Sequence, residues 1–208
     1  MSEQPHDPRH RRLDADDWDD LHRAAELVWG AAPTTWVVEQ TAALPPGRAL
    51  DAGCGEGADS IYLATRGWQV TAWDFSRVGL DKAATVASRA PRTVRARLHW
   101  TLGDVTVDPV PEPEPPYDLA VWSYLHPAPD GRAAAIAKLC DALTPGGLLI
   151  LSVHERLDEH PDLAAFGATT VSAALPADMV VEHVEWRDSD PRHGTGVDLA
   201  LRARRRHD

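Results

Sequence analysis

The chain is predicted to fold as an α/β protein: a mostly parallel sheet covered by helices on both faces, with an antiparallel hairpin at its C-terminal end. Three observations carry this. Short apolar runs of strand length alternate with segments whose apolar residues recur at helical spacing, the pattern of parallel strands joined by crossover helices. A glycine-rich loop, Gly53-Cys54-Gly55-Glu56-Gly57, joins the first such strand to the helix after it. The last two strands, Val180–Trp186 and Val197–Ala203, are separated only by a polar turn from Asp188 to Gly196, so they pair as a hairpin.

The elements follow in order. Trp18, Leu21, Ala25 and Val28 fall at i, i+3, i+7 and i+10, one face of an N-terminal helix. A second helix is expected over Thr34–Ala43, closed by Leu44-Pro45-Pro46-Gly47. Arg48–Asp51 is a strand running into the glycine loop, and Asp59–Arg66 a helix stopped by Gly67. Trp68–Trp73 is a strand ending at Asp74, and Ser76 caps a helix that reaches about Arg89 before Pro91. Leu98–Leu102 is a strand followed by Gly103-Asp104. The prolines from Pro109 to Pro116 make a stiff extended spacer. Leu119–Trp122 is a fourth strand, Gly131–Leu143 a helix, and Thr144-Pro145-Gly146-Gly147 a turn into a fifth strand, Leu148–Val153.

Composition narrows the function classes. The 208 residues suit one domain, read as residues 17–208 after a polar, disordered tail at Met1–Asp16. The formal charge of −11 disfavours a phosphate backbone or an anionic membrane as partner. Arg202, Arg204, Arg205 and Arg206 are a local exception, read as the solvated end of the last strand. Cys54 and Cys140 show no CxxC spacing, against a disulfide framework or thiolate zinc site and in favour of a reducing, cytoplasmic location. No run approaches the roughly 20 apolar residues of a membrane span, and no signal-peptide core is present. The 10 histidines include no HxxxH or HExxH, so no metal is expected.

Ligands of open α/β sheets sit beyond the carboxyl ends of the strands. Three features line up there. The 53–57 loop lets backbone approach a ligand, and the N–H groups at the following helix start favour an anionic group. Asp74 ends the second strand, 23 residues after Asp51, where a carboxylate accepts both hydroxyls of a ribose. Asp104 ends the third strand, where a short acceptor meets an adenine amino group. Dinucleotide dehydrogenases also use a glycine loop, but their GxGxxG has its third glycine one residue later than the GxGxG found here.

Leu50-Asp51-Ala52-Gly53-Cys54-Gly55-Glu56-Gly57, Val70-Thr71-Ala72-Trp73-Asp74-Phe75-Ser76, Gly103-Asp104-Val105, Tyr117-Asp118-Leu119-Ala120-Val121 and Leu143-Thr144-Pro145-Gly146-Gly147 resemble the ordered motifs of class I S-adenosylmethionine-dependent methyltransferases. The match runs from about Trp18 to the C-terminus. Gly-Glu-Gly, Gly-Trp-Gln-Val and Trp-Asp-Phe-Ser look closest to the small-molecule branch that includes tellurite-resistance and thiopurine methyltransferases. The resemblance implies a Rossmann-like seven-stranded sheet, S-adenosyl-L-methionine as cofactor, S-adenosyl-L-homocysteine as product, and a small-molecule acceptor. It places Asp51 and the loop residues Gly53, Cys54, Gly55 and Gly57 on the methionine moiety, Asp74 on the ribose, Phe75 against the adenine, Asp104 and the Val105 N–H at the adenine edge, and Ser123 near the methionine portion.

An activated methyl donor needs chiefly positioning, so a protein nucleophile is not required. A base is needed only where the acceptor must lose a proton early. Tyr124 and His126, beyond the fourth strand, and His154, beyond the fifth, are the candidates for that role. Trp29 is a candidate pocket cover, and Cys54 reads as a small loop residue. Two other classes remain to be separated: a non-catalytic S-adenosylmethionine-binding regulatory module, separated by turnover, and a nicotinamide oxidoreductase, separated by which ligand shifts the melting temperature. Acceptor choice is expected to lie in the first helix and in residues 154–177, whose Asp158, Glu159 and Asp162 would suit a cationic acceptor.

Overall fold

A computed structural model describes residues 14–112, 114–127, 129–157, 168–190 and 196–207. The expected tail therefore lies outside the described residues except for its last three, as do Asp158, Glu159 and Asp162. Helices are α1 (Ala15–Arg23), α2 (Thr35–Thr41), α3 (Ala58–Thr65), α4 (Arg77–Ala87), α5 (Arg92–Arg95), α6 (Pro129–Asp141) and α7 (Ala168–Ala174). Strands are β1 (Arg48–Ala52), β2 (Gln69–Asp74), β3 (Leu98–Leu102), β4 (Tyr117–Ser123), β5 (Leu143–Leu157), β6 (Met179–Asp188) and β7 (Gly196–Arg205).

The strands form a 7-stranded sheet in the order β3-β2-β1-β4-β5-β7-β6. Pairs from β3 to β5 are parallel, whereas β7 runs antiparallel to both β5 and β6. This is the expected sheet, with the hairpin inserted so that β7, not β6, lies next to β5. Strand order reverses between β1 and β4, and the crevice of such a sheet opens there, beyond the carboxyl ends.

Both faces of the central strands are sealed. Leu50, Ala52, Trp73, Trp122 and Leu151 belong to one apolar cluster, with Ile136 and Leu139 of α6. Ala49, Val70, Val121 and Ile150 point the other way, into a second cluster with Trp36 and Val37 of α2 and Leu63 of α3. Alternate residues thus feed opposite cores, as strands buried on both faces must. Caps define where helices start: Asp14 Oδ1 accepts the Asp17 N–H at 3.0 Å, and Ser76 Oγ accepts the Gly79 N–H at 2.9 Å as foreseen.

Several expectations need correction. The first helix stops at Arg23, so Ala25, Val28 and Trp29 are not helical. The reason is local competition for the backbone: the Lys82 ammonium donates to the carbonyls of His22 and Ala25, and Glu56 Oε2 accepts the Val28 N–H at 2.8 Å. The fifth strand begins at Leu143 and extends to Leu157. Its pairing with β4 jumps from Tyr117↔Leu143 to Leu119↔Leu148, so the Thr-Pro-Gly-Gly turn interrupts a strand instead of preceding one. Helices α5 and α7 were not foreseen. The C-terminal arginines are paired more than solvated: Arg202 Nε lies 2.8 Å from Glu182 Oε2, Arg204 also meets Glu182, and Arg205 Nε lies 2.9 Å from Asp178 Oδ2. Among the described residues no helix is long and apolar enough to cross a membrane.

Candidate active site

The glycine loop, β1 and the end of β2 form one hydrogen-bonded unit. The Gly53 and Cys54 N–H groups donate to the Trp73 carbonyl at 2.8 and 3.2 Å. Asp74 then closes the unit: its Oδ2 accepts the Gly55 N–H at 2.8 Å, and its Oδ1 accepts the Ser76 N–H at 2.7 Å. A carboxylate at this strand end therefore fixes the loop. Burial raises the Asp74 pKa against the pull of those two backbone donors and of the nearby His22 charge.

The loop glycines differ in what surrounds them. A Cβ at Gly53 would strike Leu125 Cδ1 at 2.7 Å, and one at Gly57 would strike Ala83 Cβ at 2.8 Å. Both are thus required by packing within the protein. At Gly55, whose φ is +50°, the nearest atom to an added Cβ is His22 Cε1 at 3.8 Å. A Cβ there would make only an ordinary van der Waals contact with the overlying His22 ring, so packing within the protein does not demand glycine at this position.

Asp51 lies beneath the loop, only 2% exposed, and accepts the Ser60 hydroxyl at 2.5 Å. Burial pushes its pKa to about 8, with the charge of Asp59 adding to the rise and the Ser60 hydroxyl opposing it. Asp59 in turn accepts the Thr34 N–H at 2.6 Å. Burial and the charges of Asp74 and Asp51 lift the Cys54 thiol well above its ordinary range. A thiol held neutral is a poor nucleophile, in keeping with its reading as a loop residue.

The remaining expected cofactor residues are dispersed around this unit. Phe75 is half-buried between Asp74 and Ser76. Asp104 closes its own turn, Oδ1 accepting the Thr106 N–H at 2.8 Å and its hydroxyl at 2.6 Å. Val105 is buried, 6% exposed. Ser123 ends β4, and its buried Oγ has no hydrogen-bond partner among the described residues, as is true of Ser152, its register partner on β5. Unsatisfied buried hydroxyls at a crevice call for a ligand or water.

Tyr124, His126 and His154 come together. The Tyr124 and His154 rings are 4.8 Å apart, and those of His126 and His154 stack at 5.3 Å and 11°. Sequence reasoning missed the group that organises them, Asp198 on β7, because it did not set β7 against β5. It also missed His22, which lies over Gly55 and Gly79, and Glu56, whose carboxylate lies 3.1 Å from Lys82 Nζ and 3.4 Å from His22 Nδ1. Trp29 belongs to the same covering segment, its N–H 3.4 Å from Glu56 Oε2. Among the described residues no cluster of His, Cys, Asp or Glu could hold a metal ion.

Comparison with known proteins agrees with this geometry. Residues 49–147, from β1 to the turn within β5, match a family model described as a methyltransferase domain. The ubiquinone biosynthesis O-methyltransferase of Xanthomonas campestris pv. campestris is 34% identical over 145 residues, 64% of this chain and 54% of that protein. The malonyl-[acyl-carrier protein] O-methyltransferase of Serratia marcescens is 34% identical over 108 residues, 52% of this chain and 38% of that protein. The chain thus spans about half the length, or less, of these curated relatives.

Solved structures share the fold. A protein from work on the conversion of a disulfide bond into a thioacetal group during echinomycin biosynthesis superposes with a TM-score of 0.68 at 21% identity, covering 92% of this chain and 91% of that one. The 1,6-didemethyltoxoflavin-N1-methyltransferase of Burkholderia thailandensis, with its substrate and S-adenosylhomocysteine bound, gives 0.65 at 21% identity, covering 93% and 87%. TehB from Haemophilus influenzae gives 0.65 at 16% identity, covering 93% and 67%. The fold is that of the class I methyltransferases.

Proposed function

We propose that this chain is a cytoplasmic, single-domain S-adenosylmethionine-dependent methyltransferase acting on a small molecule, a reading that starts from the match of residues 49–147 to a methyltransferase-domain model. The observation that carries the reading is the glycine loop between two buried carboxylates. Asp51 and Asp74 are 2% and 7% exposed, and Gly55 alone among the loop glycines has room for a Cβ without a clash. Burial raises the pKa of both carboxyls, so a ligand that brings a cation and hydroxyl donors would favour their ionised forms. A methionine ammonium and a ribose diol meet that description, and the unpaired Ser123 hydroxyl adds one more polar contact.

In this reading Asp51 and residues 53–57 hold the methionine end, Asp74 the ribose, and Phe75, Asp104 and the Val105 N–H the adenine. When bound, S-adenosylmethionine supplies a methyl group on a sulfonium, already activated toward a nucleophile. The chain's own part is to place the acceptor in line and keep water out. The two curated relatives are both O-methyltransferases, which favours oxygen as the accepting atom. A nucleic acid is not among the proposed partners, given the net charge of −11.

Calorimetry with S-adenosylhomocysteine tests the reading. A micromolar dissociation constant, on the order of 8 kcal/mol, is expected. No heat and no thermal shift at millimolar ligand would refute it.

A further inference from the structure

At the carboxyl end of β4, and within β5 rather than beyond it as the sequence suggested, lies a buried polar group. β5 and β7 set His154 opposite Asp198, and His154 Nδ1 lies 2.7 Å from Asp198 Oδ1. The two residues are 3% and 4% exposed. The same carboxylate accepts the Ser189 hydroxyl at 2.6 Å on Oδ1 and the Tyr124 hydroxyl at 2.7 Å on Oδ2. Three segments of chain therefore converge on one buried carboxylate.

The chemistry follows from that convergence. Burial alone would raise the Asp198 pKa, but the hydrogen bonds from His154, Ser189 and Tyr124 outweigh it and hold the carboxyl below its usual range. A carboxylate against Nδ1 keeps the imidazole proton on Nδ1, so Nε2 is the basic nitrogen. Tyr124 is the opposite case: burial and the Asp198 charge push its hydroxyl pKa up, so it stays a phenol and serves as a donor. Its backbone sits at φ +52°, which a bulky residue seldom adopts. The Tyr124 N–H bond to the Ser152 carbonyl at 2.8 Å anchors it there. Strain of this kind gathers at functional sites. Stability is a poor explanation for the arrangement, since apolar residues of like volume usually serve a core as well as a buried ion pair does.

Its location is also informative. Tyr124 follows Ser123 at the end of β4, and the next residue, Leu125, packs on the glycine loop, its Cδ1 2.7 Å from where a Cβ on Gly53 would sit. The dyad thus lies beside the loop. Resting on the methyltransferase reading above, we propose that His154 is the catalytic base for a phenolic hydroxyl acceptor, with Asp198, Tyr124 and Ser189 as the residues that position it. A neutral imidazole is matched to a phenol, whose acidity lies within a few units of its own. Aliphatic alcohols are far less acidic and so less well matched to that transfer, and thiolates or carboxylates need no base.

In the step, the phenol proton passes to Nε2 while the oxygen pair bonds the methyl carbon, the carbon–sulfur pair stays on sulfur, and the imidazolium later gives its proton to water. Besides Asp198, the titratable and charged groups around the dyad among the described residues include Tyr124, His126, Asp59, Asp190 and Arg187.

The test uses the full chain saturated with S-adenosylhomocysteine, with 4-nitrocatechol as the probe because its ionisation is visible by absorbance. Imidazole ¹⁵N NMR is expected to show His154 with its proton on Nδ1. The bound probe should be ionised below its own pKa on the wild type and not on His154→Gln. With S-adenosylmethionine present, His154→Gln should lose about 10²–10⁴ in methylation of the probe, while its S-adenosylhomocysteine affinity stays within about twofold. Asp198→Asn should move the His154 proton to Nε2 and lower the rate in parallel. Should Asp198→Asn fail to fold, Tyr124→Phe takes its place, with the tautomer retained and the rate reduced less. A wild-type proton on Nε2, an ionised probe on His154→Gln, or no binding of the probe to a complex that does hold S-adenosylhomocysteine would overturn the proposal. If S-adenosylhomocysteine itself does not bind, the underlying methyltransferase reading falls, and this proposal with it.

Discussion

Asp74 spends both carboxylate oxygens on the chain, one on the Gly55 N–H and one on the Ser76 N–H. Each oxygen has a second lone pair with which to accept from a diol. Asp74→Ala should therefore weaken S-adenosylhomocysteine binding by about 1.5–3 kcal/mol, through a buried diol left without its acceptor and a loop left without its tie. Calorimetry on the folded variant checks this, and an unchanged dissociation constant would show that the carboxylate does not reach the ribose. Gly55 gives a cleaner contrast. A Cβ there meets nothing in the protein closer than 3.8 Å, and a φ of +50° strains alanine only by about 1 kcal/mol. Gly55→Ala should keep its fold by circular dichroism yet bind S-adenosylhomocysteine at least about tenfold more weakly, because the methyl meets the ligand proposed to lie against the loop. The loop and Asp74 were legible because glycine and strand-end carboxylates advertise themselves in sequence. His154 was legible only as a position, since its meaning depends on Asp198, 44 residues away.

At the scale of elements, the segment after α1 shows how side chains redirect a chain. Its apolar spacing fits a longer helix, but Lys82 and Glu56 take the backbone groups that a helix would use. That segment lies across the glycine loop, with His22 over Gly55 and only 2% exposed. Asp19 adds a second tie, accepting the Ser76 hydroxyl at 2.6 Å and the Val78 N–H at 3.1 Å. Glu56→Ala should release the cover. Amides from Trp18 to Trp29 are expected to exchange at least about tenfold faster, while those of β1 and β4 stay protected. Hydrogen exchange with mass analysis reads both sets at once, and unaltered protection over Trp18–Trp29 would mean the clamp is incidental. Periodicity could not foresee this, because it records which face is apolar and not which side chains compete for the carbonyls. The same limit explains the misplaced start of β5. Thr-Pro-Gly-Gly reads as a turn, and only the register with β4 reveals strand on both sides of it.

For the molecule as a whole, the alternation of strands and helices identified the sheet, and a sheet of this order has its crevice between β1 and β4. Hairpin order was less legible, since nothing in the two strands says which will join β5. Folding around the crevice leaves Asp51 buried beside Asp59 and Asp74, which raises its pKa from near 3.8 to about 8. The pH dependence follows from this shift. Between those values the folded protein keeps a proton that the unfolded chain has lost, so Asp51 makes stability fall as pH rises from about 4 to about 8, and the fall ends above the folded pKa. Carboxyls held low in the fold, such as Asp198 and Glu182, act in the opposite sense, so the Asp51 contribution is best isolated by difference. Asp51→Asn preserves an acceptor for the Ser60 hydroxyl and removes the titration. The melting temperature of the variant should gain on the wild type as pH goes from 5 to 8. Ligand binding gives the complementary signature. If Asp51 meets a methionine ammonium, the bound state favours the carboxylate, and S-adenosylhomocysteine binding at pH 7 should release a proton. Calorimetry in two buffers of different ionisation enthalpy measures that release, which Asp51→Asn should abolish. Equal apparent enthalpies in both buffers for the wild type would place the ammonium elsewhere.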